Sequence, residues 1–210
     1  MDNRYEVLKG LPTYGDIAIP IIDEDDIFVS EGYVVKFYKN DGSTWIANFP
    51  KGESNLSFVK EISKNNYILV ISGGDGYLMN PNHHKPVKKL QYFAEEMIER
   101  DDGRLILVSI TDIMFLDENA AIEWEKNIGL DGIKDLKLDD NKLIGYCYNI
   151  FIDYEKNNDL WVKFTIDLDT KEVEGGCYNF PEVVVKIPWF KYFITTVIIG
   201  HLIYVFSMIS

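Results

Sequence analysis

Carboxylate side chains recur at equivalent places along this 210-residue chain, each close to a short connection between apolar runs. Carboxylates held near one another focus negative potential, which attracts cationic groups. They also raise one another's pKa values, which is the condition for acid–base catalysis. The set therefore predicts a binding site for a basic protein, a polyamine or a hard metal ion, or else a pair of hydrolytic carboxylates. Its members are Asp16, Glu31, Glu53, Asp75, Glu96, Asp112, Asp131 and Glu182.

The overall charge of the chain argues against some classes of partner, but it does not distinguish between a binding site and a catalytic site. With 34 acidic and 21 basic residues the net charge is −13, which argues against unspecific binding to nucleic acid or to an anionic membrane. The simplest alternative to an acidic binding face is that acidic residues occupy surface loops and keep the protein soluble.

Other motifs that could carry chemistry are weaker. The glycine stretch at 73–76 lacks a following helix and a Lys-Ser/Thr pair, so it predicts a tight strand connection rather than a phosphate loop. His83 and His84 have no third ligand in view, and His201 lies among apolar residues, so we expect no metal site. We predict no catalytic residue and no cofactor. The tryptophans favour packing over a sugar-binding platform; they are Trp45, Trp124, Trp161 and Trp189.

The elements that position these residues are most easily seen in residues 95–129. Four short runs rich in apolar and β-branched residues are separated there by Arg100–Gly103, Thr111–Asp112 and Asp117–Asn119. Such turn residues accept positive φ or bond their own backbone, so the stretch predicts four antiparallel strands.

The same unit recurs along the whole chain with a period of about 40 residues, which is the period of a propeller blade. No helical pattern intervenes, so a βαβ fold is excluded. The sequence predicts an all-β fold, a single-domain, five-bladed β-propeller. The N-terminal strand at 3–10 resembles the fourth strands, so we expect it to pair with the C-terminal blade and close the ring. The predicted blades are 14–50, 54–93, 95–129, 131–179, and 181–210 together with 3–10.

Two segments allow alternatives. Tyr192–Ile209 is a stretch of 18 residues with no formal charge, at the lower limit for a membrane helix. Its β-branched and aromatic residues and the Gly200-His201 break favour strands, and a membrane anchor is the alternative. The second segment, Asn149–Asp159, is an insertion in the fourth unit, which predicts either a functional loop or a tolerated surface elaboration.

Three of the repeats, VISGGDGYLMNP, VSITDIMFLDENAAIEW and VSEGYVVKFYKNDGSTW, resemble those of quinoprotein-type (PQQ-like) β-propellers. That repeat ends its third strand near Leu-Asp and places a Trp after a Gly-containing turn. Trp45 and Trp124 hold the Trp position, whereas Val87 and Val173 replace it. The resemblance implies a propeller in which fourth-to-first and second-to-third strand loops open on one face, and so gathers the carboxylates there. It carries over no quinone cofactor, because the chain has no vicinal Cys pair.

The resulting functional hypothesis is a non-enzymatic, monomeric, cytoplasmic protein whose acidic face binds a basic protein. A small acidic chain of this kind could be an immunity-type protein that masks a basic toxin. One alternative is a glycan-binding or glycan-hydrolysing propeller that uses the channel carboxylates; another is a membrane-anchored sensor. With only Cys147 and Cys177, and no metal-ligand or CxxC spacing, we expect no disulfide framework.

Overall fold

The computed structural model describes residues 4–22, 30–62, 66–150 and 160–177. The chain divides into two units between Asn179 and Phe180, and all described residues belong to the first unit. Within the described ranges the chain forms sixteen β-strands and no helix, so the all-β prediction is confirmed. No helix among these residues is long and apolar enough to cross a membrane.

Three of the four sheets are antiparallel meanders in which strands consecutive in sequence are neighbours. The prediction of four strands within residues 95–129 is confirmed, because this stretch forms the third sheet. The second sheet comprises β5 (Phe58–Ile62), β6 (Tyr67–Ser72), β7 (Asp75–Met79) and β8 (Pro86–Phe93). The third comprises β9 (Glu96–Glu99), β10 (Leu105–Val108), β11 (Asp112–Leu116) and β12 (Ile122–Asn127). The fourth comprises β13 (Ile133–Asp139), β14 (Lys142–Tyr148), β15 (Trp161–Asp167) and β16 (Val173–Gly175).

The first sheet departs from the predicted repeat. Its strands lie in the order β1 (Tyr5–Val7), β3 (Tyr33–Tyr38), β4 (Thr44–Phe49) and β2 (Ile19–Pro20). β1 runs antiparallel to β3. β2 pairs in parallel with β4 at the far edge. The structure thus corrects the prediction that the N-terminal strand is the fourth strand of a C-terminal blade, because this strand belongs to the first sheet.

Contacts remote in sequence hold β1 in this position. The Tyr5 hydroxyl donates a hydrogen bond to the Val59 carbonyl at 3.0 Å, and the Arg4 guanidinium donates to the Asn66 carbonyl at 2.7 Å. Both bonds join the first sheet to the second. A short alternating pattern specifies a strand but not the edge that it joins, so the sequence pattern left the partner of β1 undetermined.

The four sheets pack face to face in the order of the chain. In β6, Ile68 and Val70 pack in one cluster with the first sheet, while Leu69 and Ile71 pack in another with the third. All four side chains are fully buried. The residues of β10 divide in the same way between the second and fourth sheets. Burial of both faces explains why these strands are continuous apolar runs, and the result is a propeller-like stack.

An aromatic pair recurs between the third and fourth strands of two sheets. Phe37 lies opposite Trp45 in the first sheet, with ring centroids 4.9 Å apart. Phe115 lies opposite Trp124 in the third sheet, with centroids 4.8 Å apart. Trp45 is buried and its indole N–H donates to the Pro81 carbonyl at 2.7 Å, which joins the first sheet to a turn of the second. These tryptophans therefore pack between strands, as expected.

Several predictions concern residues outside the described ranges. They are residues 151–159 of the insertion, the fifth blade at 181–210 with Glu182, Trp189 and His201, and the segment 192–209.

Candidate functional site

Two kinds of connection meet at one end of the stack, which we call the loop end. It comprises the connections between sheets, at 50–57, 94–95 and 128–132, and the turns between second and third strands, at 73–74 and 109–111. Backbone hydrogen bonds join them: Ser54 N–H donates to Gly73 O at 2.9 Å, Ala94 N–H to Gly74 O at 3.0 Å, and Ile128 N–H to Thr111 O at 2.9 Å. The two sets of loops that carry the predicted carboxylates thus lie together in the second and third sheets.

Gly52 and Gly73 bring the connection that carries Glu53 close to the turn that precedes Asp75. Gly52 permits this approach, because a Cβ on Gly52 would lie only 2.4 Å from the Gly73 carbonyl oxygen and 2.9 Å from an Asp75 carboxylate oxygen. Burial of the half-exposed Asp75 side chain raises its pKa, the Lys89 ammonium opposes this rise, and the charge of Glu53 adds to it. A carboxylate near a like charge is the arrangement that the sequence predicted here.

Asp112 is placed differently, because its carboxylate is used within its own turn. It accepts hydrogen bonds from the Thr111 hydroxyl at 2.5 Å and the Asn127 amide at 2.9 Å. The Ser109 hydroxyl donates a third bond at 3.3 Å. These bonds close the connection between β10 and β11, so the side chain stabilises the turn and is not free for a ligand.

Asp16 and Glu31 line a groove of about 580 Å³ beside the first sheet. Glu31 precedes β3 and accepts a hydrogen bond from Leu11 N–H at 3.2 Å, which ties the segment 11–18 to the sheet. The buried Asn48 amide forms part of the groove wall, and its oxygen accepts from Gly32 N–H at 2.9 Å. Tyr14 is 91% exposed in the same segment. Tyr14 was not among the predicted site residues, although an aromatic residue in a loop that contains Pro and Gly indicates an exposed contact surface.

The remaining candidates are exposed and separate. Glu96 begins β9 and Asp131 precedes β13, and both side chains are exposed. Within the described part of the chain, Asp16, Glu31, Glu53, Asp75, Glu96, Asp112 and Asp131 form no ion pair. The structure therefore places Glu53 near Asp75 at the loop end, and Asp16 and Glu31 along one groove beside the first sheet. Glu182 lies outside the described residues.

The opposite end of the stack carries paired charges. Asp102 binds Arg104 at 2.8 Å and Arg100 at 3.4 Å. Glu123 binds Arg104 at 3.3 Å, and it also binds Lys171 of the fourth sheet at 3.4 Å. Lys60 of the second sheet binds Glu99 of the third at 2.5 Å. Asp102, Glu123 and Glu99 are thus neutralised locally, whereas other acids of this end are exposed without an ion pair among the described residues, namely Asp101, Asp139, Asp140 and Asp169.

The histidine pair lies at a turn of the second sheet and both residues are exposed, as expected. The His84 ring lies over Trp45, with ring centroids 4.6 Å apart. Among the residues that the structure describes, no group of three or more His, Cys, Asp or Glu side chains could hold a metal ion.

No family model matches the chain, and no curated protein matches it by sequence. Among solved structures, it is similar to the Pan2 WD40 domain of Neurospora crassa, with 15% identity and a TM-score of 0.40 over 70% of this chain and 49% of that one. It is also similar to a Bacteroides caccae protein of unknown function, with 13% identity and a TM-score of 0.33 over 72% of this chain and 57% of that one. The chain thus matches about half the length of each. The class that its own sheets define is an all-β, propeller-like stack.

Proposed function

We propose that this chain is a non-enzymatic binding protein whose loop end docks a basic protein partner. The observation that carries this proposal is Asp75, a half-buried carboxylate beside Glu53 whose pKa is raised and which has no ion pair among the described residues. Such a group costs stability without serving the fold, and groups of this kind concentrate at functional sites. The charge of Lys89 acts on Asp75 without an ion pair to it among the described residues, and a lysine or arginine of a partner would form that pair.

The distribution of charge around Asp75 supports the same proposal. At the loop end Glu53, Glu96 and Asp131 are exposed and unpaired among the described residues, whereas the opposite end combines exposed acids with the ion pairs of Asp102, Glu123 and Glu99. Unpaired acids on a protein of net charge −13 produce an attractive field for a basic surface. Complementary charge of this kind chiefly speeds association and selects the partner.

The proposal takes the scaffold to be a five-bladed propeller of PQQ-like repeats, which acts as a monomer in the cytoplasm. The repeat of about 40 residues and the four stacked sheets support it, with residues 181–210 as the fifth unit. A small acidic protein of this form fits an immunity-type role in which a basic toxin is masked.

The test is capture of a basic protein from lysate of the source organism at low and high salt, with the purified full-length chain as bait. We compare it with a loop-end variant that combines Glu53→Gln, Asp75→Asn, Glu96→Gln and Asp131→Asn. The matched control carries the same charge change at the opposite end, as Asp101→Asn, Asp139→Asn, Asp140→Asn and Asp169→Asn.

We expect the wild type and the control to capture a basic protein that high salt releases, because exposed charges are screened. The loop-end variant should bind the captured protein at least about tenfold more weakly. If both variants lost binding equally, the binding would depend on net charge alone. That result would contradict the proposal that the partner docks at the loop end.

A glycan ligand is the second candidate, and the groove lined by Asp16 and Glu31 favours it. The exposed ring of Tyr14 beside two carboxylates offers both a stacking surface and acceptors for sugar hydroxyls. If no basic protein is captured at either salt concentration and soluble oligosaccharides bind the chain instead, the result would favour glycan binding in this groove over docking of a basic protein.

A further inference from the structure

Two cysteines that are distant in sequence have their sulfur atoms in direct contact in the fourth sheet. Cys147 lies on β14 and is fully buried, whereas Cys177 follows β16 and is partly exposed. Their Sγ atoms are 3.1 Å apart and both residues are free thiols. A disulfide bond is about 2.05 Å long, so the two sulfurs need to approach by only about 1 Å.

The backbone around Cys177 holds it in this position. Gly175 and Gly176 have φ of 74° and 78°, a region that favours glycine, and they turn the chain at the end of β16. Cys177 N–H then donates to the Ile128 carbonyl at 3.0 Å, and its thiol donates to the Tyr148 carbonyl at 3.3 Å. These hydrogen bonds therefore position Cys177 so that its thiol contacts that of Cys147.

We propose that Cys147 and Cys177 are a redox-active pair that forms a reversible intramolecular disulfide. The oxidant is a low-molecular-weight disulfide of the glutathione type. The Cys177 thiolate attacks it, which forms a mixed disulfide and releases one thiol. Cys147 then loses its proton to solvent and attacks the Cys177 sulfur, which releases the second thiol. Two protein thiols are oxidised by two electrons in total, and the small disulfide is reduced to two thiols.

The environments of the two sulfurs fit this order of events. Cys177 is accessible and can meet the oxidant first, whereas Cys147 is protected and serves as the resolving thiol. Burial raises the pKa of Cys147 to about 12, and the neighbouring Cys177 sulfur adds to the rise. Few Cys147 thiolates exist at neutral pH, so we expect closure to be slow there and to accelerate as the pH increases.

The bond would join β14 to the segment after β16, across β15 between them. It would close a loop that contains residues 148–176, and this loop includes the insertion at 149–159. Oxidation would therefore brace the fourth sheet by restricting the unfolded chain. This inference does not depend on the proposed function of the loop end.

The experiment treats the reduced full-length protein with oxidised glutathione under native conditions and counts thiols by maleimide labelling and intact mass. We expect both thiols to disappear together, with loss of two hydrogens from a monomer, and dithiothreitol to restore them. The oxidised form should melt roughly 5–15 °C higher than the reduced form.

Two variants keep the test decisive. Cys147→Ser should accumulate a glutathione adduct on Cys177, whereas Cys177→Ser should leave the buried Cys147 unmodified. Because Cys147 is in the core, Cys177→Ser is the variant to rely on if the other fails to fold. A persistent glutathione adduct on the wild type, a disulfide-linked dimer, or two thiols that stay free would each overturn the proposal.

Discussion

At the scale of single residues, Asp75 is a carboxylate whose charged form does not stabilise the fold. Its side chain is half-buried, and the principal cause of its raised pKa is burial, with Glu53 adding to the rise. A carboxyl whose pKa is higher in the folded than in the unfolded state stabilises the fold while protonated. This contribution is complete below the unfolded pKa and is lost as the pH rises through the folded pKa.

Asp75→Asn is therefore expected to stabilise the protein at neutral pH, where the native side chain is charged. The gain is about 0.5 kcal/mol, a modest value because water screens a partly exposed carboxylate. It should disappear below about pH 3, well under the unfolded pKa of about 3.9, where Asp75 is protonated in both states. Urea unfolding at neutral and acid pH measures the difference, with the exposed Asp101→Asn as a control that should change little. A gain that persists unchanged at acid pH would contradict this account.

At the scale of elements, the turn between β6 and β7 is specified by close approaches of the backbone. Gly74 has φ of 94°, and a Cβ there would lie 2.7 Å from the Ala94 carbonyl oxygen and 2.8 Å from the Ser54 hydroxyl. The same turn receives the Ser54 and Ala94 hydrogen bonds that join the connections to it. One glycine thus permits a tight turn and also the contact between two loops.

Gly74→Ala should destabilise the protein by about 2–4 kcal/mol, because the new methyl group meets backbone strain and a steric clash together. The matched substitution is Gly103→Ala, at φ of 82° with no heavy atom within 4 Å of the added Cβ. It carries only the conformational cost, about 1 kcal/mol. Thermal or urea unfolding of the two variants distinguishes the effects, and equal losses would show that the close approach contributes nothing.

At the scale of the whole molecule, stability depends on contacts between successive sheets. Tyr92 at the end of β8 reaches from the second sheet to the third. Its hydroxyl donates to the Asp112 carbonyl at 2.6 Å and accepts from Ser109 N–H at 3.1 Å. Burial raises the pKa of Tyr92, so the phenol stays protonated and able to donate. This bond joins the β10–β11 turn to the neighbouring sheet.

Tyr92→Phe keeps the ring but removes the hydroxyl, so it should cost about 1–2 kcal/mol of the free energy of unfolding. Tyr38→Phe is the matched control, because its hydroxyl donates to the exposed Glu6 carboxylate at 2.9 Å, and loss of this exposed bond should change the free energy of unfolding little. A loss in Tyr92→Phe no larger than that in Tyr38→Phe would contradict a role for the Tyr92 hydroxyl in joining the sheets.

The sequence by itself determined the strands of the second to fourth sheets, the turns between them and the all-β class. These features were predictable because alternation, β-branched runs and turn residues such as Asp101–Gly103 act locally. The resemblance to PQQ-like repeats implied that the fourth-to-first and second-to-third connections share one end, and Glu53 and Asp75 lie in such connections.

Only the tertiary structure decided which partner each remote group meets. It placed β1 beside β3, used the Asp112 carboxylate within its own turn, and brought the Cys147 and Cys177 sulfurs into contact. The contacts of β1 and of the two thiols join residues some thirty positions apart. The sheet edge that a short strand joins depends on which edge of the folded sheets has unpaired backbone groups. Whether a carboxylate is available for a ligand depends on the hydrogen-bond donors that the fold places around it. Neither property is encoded in the local periodicity of the chain.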